Sequence, residues 1–363
     1  MATIILGDIV EVIKETVHNP QESGFQYFVG LEHYDSGEPL ITRYATPDNL
    51  TSSVKHFAKG DILVARRNVY LKRASLVDFE GVTSGDSIVL RAKDKKYQQI
   101  LPFILNSDDF WDYAEQNSDG TMSKRLSPAD LLDYEFEELE NIELLADKLW
   151  AAYRVKESYK KLLAATDDML NAKFHEMFGT ADMSRYSLND VAEVYDGTHQ
   201  TPNYVSQGIR FVSVEDVTNT ATTVKYISKE AFEKYKHKPQ KGDLLMTRIG
   251  SIGKCAVVSN NEPLAYYVSL ALIKPNHDLV LSEYLKCYIE SSEGQRELYQ
   301  RSLLRAFPMK INLGEIGKIK IILPSLGNQQ KFVEIATQAE ATKESLRKSI
   351  ENIDQVIKSL INQ

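Results

Sequence analysis

Apolar and polar positions change rhythm three times along the chain. Over residues 1–136 the apolar runs are short: 8–13, 25–31, 62–65 and 87–90. Turns such as Asp35-Ser36-Gly37 and Ser84-Gly85-Asp86 separate them. That texture predicts a β-rich domain with a few helices, one of them near residues 97–113. From about residue 137 there is no Pro or Gly until Gly179. Leu139, Ile142, Leu145, Leu149, Ala152, Tyr159, Leu163 and Leu170 recur at helical spacing, with Lys156 and Thr166 as polar interruptions. One long amphipathic helix with a coiled-coil seam is predicted over 137–178. Residues 179–324 return to short runs, with strands expected at 209–214 and 319–323 and a helix over 280–299. Pro324 and Ser325 open a second long helix, in which Phe332, Ile335, Ala339, Thr342, Leu346, Ile350, Ile353, Ile357 and Leu360 keep the seam.

The order is therefore domain (1–136), long helix (137–178), domain (179–324), long helix (325–363). The expected class is α+β. Two seams too apolar for water are most simply satisfied by packing on each other as an antiparallel coiled coil, with the two domains at opposite ends. A helix of this length spans about 57 Å.

The two domains share a sequence. Residues 241–258, KGDLLMTRIGSIGKCAVV, read as a charged turn, an apolar run, a Gly-rich basic loop and a second apolar run, a hairpin-like pair of strands. Residues 59–74, KGDILVARRNVYLKRA, align with this stretch without gaps at an offset of 182 residues. Lys59, Gly60, Asp61, Leu63, Arg66, Lys72 and Ala74 meet Lys241, Gly242, Asp243, Leu245, Arg248, Lys254 and Ala256. The same offset pairs Asp8 with Asp190, Glu11 with Glu193, Val12 with Val194 and Ser87 with Ser269. An offset of half the chain marks an internal duplication.

Bulk chemistry narrows the function. The 363 residues carry a net charge of −8, unevenly spread. Residues 1–136 hold 14 Lys+Arg against 21 Asp+Glu, and residues 179–324 hold 18 against 16. An acidic total argues against nucleic-acid binding by the whole surface, but not by local basic faces. Two cysteines, Cys255 and Cys287, without a CxxC spacing, point to a reducing compartment. Residues 1–6 are too short and uncharged for a signal peptide, and no apolar run reaches about 18 residues. A cytoplasmic protein without a membrane partner is expected.

Catalytic patterns are not found. There is no Asn-Pro-Pro-Tyr methyltransferase motif. Gly253-Lys254 has Arg248 where a P-loop needs its first Gly, and it is followed by Cys255. His175-Glu176 has Gly179 where a zinc protease needs its second His. No catalytic residue, cofactor or metal is expected of this chain.

The pattern resembles the specificity (S) subunits of type I restriction–modification systems. The resemblance covers nearly the whole chain. It rests on IRFVSVEDV (209–217), on KGDLLMTRIGSIGKCAVV, on INLGEIGKIKIILPSLGNQQK (311–331), and on the tandem domain–helix order. It implies two target-recognition domains, each reading one half of a split double-stranded DNA sequence. It also implies two helices that space the domains and hold two methyltransferase (M) subunits, with restriction (R) subunits as further partners. Readers about 57 Å apart span roughly 17 base pairs at ~3.4 Å each. A type IIB specificity subunit shares this architecture, and a protein-interaction scaffold is the rival from another class. The first half departs from the family pattern: Arg67-Asn68-Val69-Tyr70-Leu71 replaces the Gly-Ser-Ile-Gly loop, and residues 133–139 lack the Pro that starts the second helix.

Candidate DNA-contacting residues follow from the basic clusters and the repeat. In the first domain they are Arg66, Arg67, Tyr70, Lys72 and Arg73, against the bland alternative of a solvated strand face. Ser84 and Ser87 are weaker candidates. In the second they are Arg248, Ser251 and Lys254 on the Gly-rich loop, and Thr198, His199 and Thr201 in DGTHQTPNY. Tyr266 and Tyr267 join them, one of the pair being expected in the core. Arg301, Arg305 and Lys310 in RSLLRAFPMK could bind phosphate or cap a helix. Trp150, Tyr153, Leu326 and Phe332 on the long helices are candidate docking residues for the M subunit, or else intramolecular core.

Overall fold

The computed structural model describes residues 2–120, 123–179, 184–217, 223–303 and 306–362. The chain divides into two compact units, one of residues 1–160 with 348–363 and one of residues 161–347. Both long helices contribute a segment to each unit.

Each unit is built around the Lys-Gly-Asp turn. Gly60 and Gly242 adopt φ of +93° and +91°, the left-handed region where a side chain is strained. The aspartates that follow fold back on the turn: Asp61 Oδ2 accepts from the Ala58 N–H, and Asp243 Oδ2 from the Gln240 N–H, both at 2.8 Å. The strands that emerge, Ile62–Ala65 and Leu244–Thr247, are buried at every position. Their side chains alternate between two cores, as the period of two demands. Ile62 and Val64 enter a core shared with helices Lys95–Ile104 and Asp108–Gln116, while Leu63 and Ala65 face a second sheet. Leu244 and Met246 face helix Ser282–Glu290, and Leu245 faces the opposite core.

The duplication extends to strand order and register. In the first unit, Ile62–Ala65 lies antiparallel between Ala74–Leu76 and Ser87–Ala92, which in turn pairs with Val10–Ile13. In the second, Leu244–Thr247 lies between Cys255–Val257 and Leu270–Pro275, which pairs with Ala192–Asp196. The second sheets share one parallel pairing. Phe28 and Val29 face Val82 and Thr83, and Arg210 and Phe211 face Leu264 and Ala265, again 182 residues on. The outer strands of these sheets differ: Val54–Phe57 adds beside Gly81–Thr83, whereas Tyr226–Ile227 adds beside Ile209–Val212.

Three expected elements are corrected. The central helix is Ile142–Phe178, starting five residues later than expected. Residues Glu135–Glu137 instead pair antiparallel with Thr3–Ile5, and Asn141 at φ +49° turns the chain into the helix. The helix expected over 97–113 is two helices, because the Ser107 hydroxyl caps a new start by accepting from Phe110 N–H at 3.1 Å. The helix expected over 280–299 breaks likewise at Ser291, whose hydroxyl accepts from the Gly294 N–H at 3.2 Å. The C-terminal helix is Leu326–Ile361.

The long helices pack antiparallel. Lys156 meets Asp354 in the first unit, and in the second Asp167 meets Lys343 and Phe174 packs edge-on against Phe332. The seam's polar interruptions are bonded. Lys156, with 11% of its side chain exposed, lies 3.0 Å from Glu38 Oε1 and 2.8 Å from Asp354 Oδ1, and Lys160 reaches the same Glu38 oxygen at 2.8 Å. Gln329 is fully buried. Its carbonyl accepts from Leu281 N–H, and its amide donates to Leu279 and Pro324 carbonyls.

Burial works to raise the Glu38 carboxyl, but Lys160 and Lys156 more than offset it and hold it below its ordinary 4.5. A carboxyl with a lowered folded-state pKa stabilises above the unfolded value and loses that contribution as pH falls through the folded one. Wild-type protein therefore sheds stability of the first unit below about pH 4.5, whereas Glu38→Gln flattens that dependence and costs about 3 kcal/mol at pH 7. Denaturant melts across pH 3–7, followed by the fluorescence of Trp111 and Trp150, measure both.

Candidate nucleic-acid interface

In the second unit, residues 248–254 form the loop between the two hairpin strands. Gly250 and Gly253 take φ of +80° and +87°. A Cβ on Gly253 would stand 2.4 Å from Gln295 Nε2 and 2.5 Å from Leu298 Cδ1, so glycine is needed there twice over. The buried Thr247 hydroxyl closes the loop, accepting from Lys254 N–H at 2.9 Å and donating to the Ser251 carbonyl. Ser251 and Lys254 are left exposed.

Arg248 is held beneath this loop. Its Nε donates to the Val268 carbonyl at 3.0 Å, its Nη1 lies 3.5 Å from Asp196 Oδ1, and 12% of the side chain is exposed. The other Asp196 oxygen bonds His199 Nε2 at 2.9 Å, and His199 itself is 70% exposed. The Thr198 carbonyl accepts from Val268 N–H at 3.0 Å, which pins the polar loop of Thr198, His199 and Thr201 beside Tyr267. Gly250 N–H donates to the Met309 carbonyl, and Ile311 N–H to the Arg248 carbonyl, so exposed Lys310 joins the same surface.

The structure thus brings Thr198, His199, Arg248, Tyr267 and Lys310 together. Tyr266 does not belong with them. It is 1% exposed, with its hydroxyl donated to the Asp196 carbonyl at 3.0 Å. Arg301 is half-buried between its own carboxylates, Glu297 at 3.4 Å and Glu315 at 3.8 Å. Arg305 lies outside the described residues.

The first unit repeats the arrangement with different side chains. Asn68 N–H donates to the Lys124 carbonyl and Leu126 N–H to the Arg66 carbonyl. These match the Gly250–Met309 and Ile311–Arg248 bonds, with an offset of 182 on the loop and 185 on the second segment. Asn68 adopts φ +56° where Gly250 adopts +80°. The loop without glycine therefore keeps the backbone turn, because Asn tolerates the left-handed region better than other side chains.

Arg67 and Tyr70 are exposed, Tyr70 at 59%. Arg66 is half-buried, and Lys55 lies beside it. Burial lowers the Lys55 ammonium and the Arg66 charge lowers it further, while its Nζ donates to the Ser87 carbonyl at 2.6 Å. Lys72 and Arg73 point elsewhere. Lys72 pairs with Asp108 at 3.1 Å. Arg73, 9% exposed, donates to the carbonyls of Leu31 and Arg67 and serves the loop's interior. Ser87 is buried and bonded to Tyr34 and Thr83.

Sequence reasoning missed Arg125 and Lys55. Arg125 faces Arg67 across an isolated bridge, and Lys310 faces Ile249 in the same way. The signal was present: sliding the repeat by three further residues aligns Lys124-Arg125-Leu126 with Met309-Lys310-Ile311.

Of the four docking candidates on the long helices, Tyr153 (4% exposed) and Phe332 (2%) are core residues. Phe332 packs among Phe174, Phe178 and Tyr284. Trp150 packs on Phe103 and donates its indole N–H to the Gln99 carbonyl at 2.8 Å. Leu326 is exposed at 38%. Among the described residues, no group of three or more His, Cys, Asp and Glu could hold a metal ion, and no helix is long and apolar enough to cross a membrane.

The chain is thus a tandem duplication of one α+β unit that carries its basic loop at matched positions. Residues 181–355 match the family described as "Type I restriction modification DNA specificity domain". The EcoBI type I restriction enzyme specificity subunit of Escherichia coli is 27% identical over 179 residues, which cover 47% of this chain and 38% of that protein. A putative type I specificity subunit of Haemophilus influenzae is 27% identical over 135 residues, covering 34% of this chain and 32% of that one. These matches span well under half of either curated relative. The S subunit of a type I system from M. genitalium has the same fold, with a TM-score of 0.60 at 13% identity, covering 99% of this chain and 94% of that one. So does a chain from a type I R-M system studied for complex assembly and conformational transition, with a TM-score of 0.57, 18% identity and coverages of 99% and 96%. The second half of the chain thus matches the specificity domain of type I restriction–modification systems, and the chain as a whole has the fold of solved type I S subunits.

The left-handed residue of the first loop gives a direct test. Asn68→Gly should leave stability within about 0.5 kcal/mol of wild type, whereas Asn68→Val should cost about 1–2 kcal/mol. Urea denaturation of the two variants reads the difference.

Proposed function

We propose that this chain is the DNA-recognition subunit of a type I restriction–modification complex. Each unit reads one half of a bipartite duplex site, and the long helices position two M subunits, with R subunits joining that assembly. Methyl transfer and cleavage belong to those partners. The observation that carries the reading is the repeated loop, which sets a basic residue on the same backbone position in both units: Arg66 and Arg248 on the first segment, Arg125 and Lys310 on the second. Side chains at base edges would carry sequence information, and the lysines would set register through phosphates. Thr198, His199, Thr201, Arg248, Ser251, Lys254, Tyr267 and Lys310 form the proposed surface of the second unit. Arg66, Arg67, Tyr70, Arg125 and Lys55 form that of the first.

The test is native mass measurement of the chain with the M subunit of its system, with duplex binding followed on the same sample. Two M subunits per chain and tight binding of a split site are expected. Arg248→Ala should lose about 1–3 kcal/mol in one half-site and leave the other unchanged. Absence of M binding, together with DNA affinity that ignores sequence, would leave a protein-interaction scaffold, for which the net charge of −8 is the argument.

A further inference from the structure

Two arginines of the first unit share one carboxylate. Arg67 Nη1 lies 3.7 Å from Asp86 Oδ2, and Arg125 Nη2 lies 3.4 Å from Asp86 Oδ1. Asp86 is fixed by its backbone: its N–H donates to Ser84 Oγ at 3.2 Å, and its carbonyl accepts from Arg66 N–H at 3.0 Å. The two guanidinium groups are about half exposed, at 46% and 49%.

This is not the geometry of a structural ion pair. Asp61 and Arg91 in the same unit make one: two bonds of 2.7 Å, with 2% of the aspartate side chain exposed. At Asp86 the separations exceed hydrogen-bonding range, and Arg67 spends its Nε on Ser123 Oγ at 3.0 Å instead. The carboxylate holds both charges nearby without occupying their donors. In the second unit's loop the loosely held arginine is Arg248, 3.5 Å from Asp196 Oδ1, and no second arginine among the described residues shares that carboxylate. Lys310 stands at the position of Arg125, and none of the described carboxylates lies within ion-pair distance of it.

We infer that Asp86 is a specificity-determining residue of the first unit, acting as an internal competitor for Arg67 and Arg125. This rests on the DNA-recognition reading. The Asp86 carboxylate repels an anionic phosphate brought to either arginine, so non-specific binding gains little, whereas a neutral guanine edge meets no such repulsion. A guanine edge offers the fork two acceptors in fixed geometry, which a single loosely placed carboxylate does not match. Discrimination arises because the wrong partner is penalised.

The test uses the complex with M subunits, a cognate duplex selected from a random pool by the wild-type complex, and a scrambled duplex, titrated between 50 and 200 mM salt. Asp86→Asn should tighten binding to the scrambled duplex and steepen its salt slope by about 1 for each arginine released, which is about 3.5-fold in affinity over that range. The cognate-to-scrambled ratio should fall. Asp86→Glu should keep the wild-type ratio. Arg125→Gln, which does not depend on Asp86→Asn folding, should weaken the cognate duplex and leave the scrambled one unchanged. An unchanged slope and ratio in Asp86→Asn, or an equal loss on both duplexes in Arg125→Gln, overturns the inference while the reading of the chain stands. If the wild-type complex selects no duplex at all, it is that reading which fails.

Discussion

Side-chain alternation along two four-residue strands is the constraint on which the rest of each unit depends. Ile62–Ala65 and Leu244–Thr247 send successive residues into different cores, so each strand is the shared wall between a helix layer and a second sheet. A slip of one residue would exchange the two sets. The Lys-Gly-Asp turn prevents it by tying an almost fully buried aspartate to the backbone N–H three residues earlier and to a cation across the sheet, Arg91 or Lys274. The register of the strand then sets where the chain leaves the sheet. That exit is the first residue of the basic loop, Arg66 or Arg248.

The long helices obey a related logic with buried polar groups. Polar groups buried along the helix pair are not defects in packing. Lys156 joins the helix pair to the loop that carries Glu38, Lys343 joins Asp167, and Gln329 binds the start of the C-terminal helix to the loop before Ser282. Each such group is costly to bury alone and inexpensive only where its partners stand. They favour one axial register of helix on helix, which Leu and Ile alone would leave open.

Much of this was legible in the residues. The tandem order, the duplication and the strand Ile62–Ala65 followed from periodicity and from an ungapped offset. What was not legible depended on partners distant in sequence. The start of the central helix gave way to a strand pairing with Thr3–Ile5, which no local pattern announces. Helical periodicity ran through Ser107 and Ser291 because apolar spacing continues across them, and only the caps reveal the breaks. For the candidate site, basic residue type was a poor guide to orientation. Lys72 and Arg73 sit in the densest cluster of the first half, yet one pairs with Asp108 and the other binds carbonyls. Arg125 was hidden because its segment is displaced by three further residues from the main repeat.

The duplication separates backbone from chemistry. Asn68 and Gly250 differ in every property except tolerance of positive φ, and the turn persists through that one shared trait. Around it the side chains have diverged: Arg67 stands where Ile249 does, Arg125 where Lys310 does, and Asp86 where Val268 does. On the proposed DNA-recognition function, two surfaces with one scaffold and different donors suit two unlike half-sequences, since identical surfaces would favour a repeated half-site. A fold in which the loop is anchored by backbone bonds at both ends permits this divergence. None of those bonds runs through a side chain that would have to change.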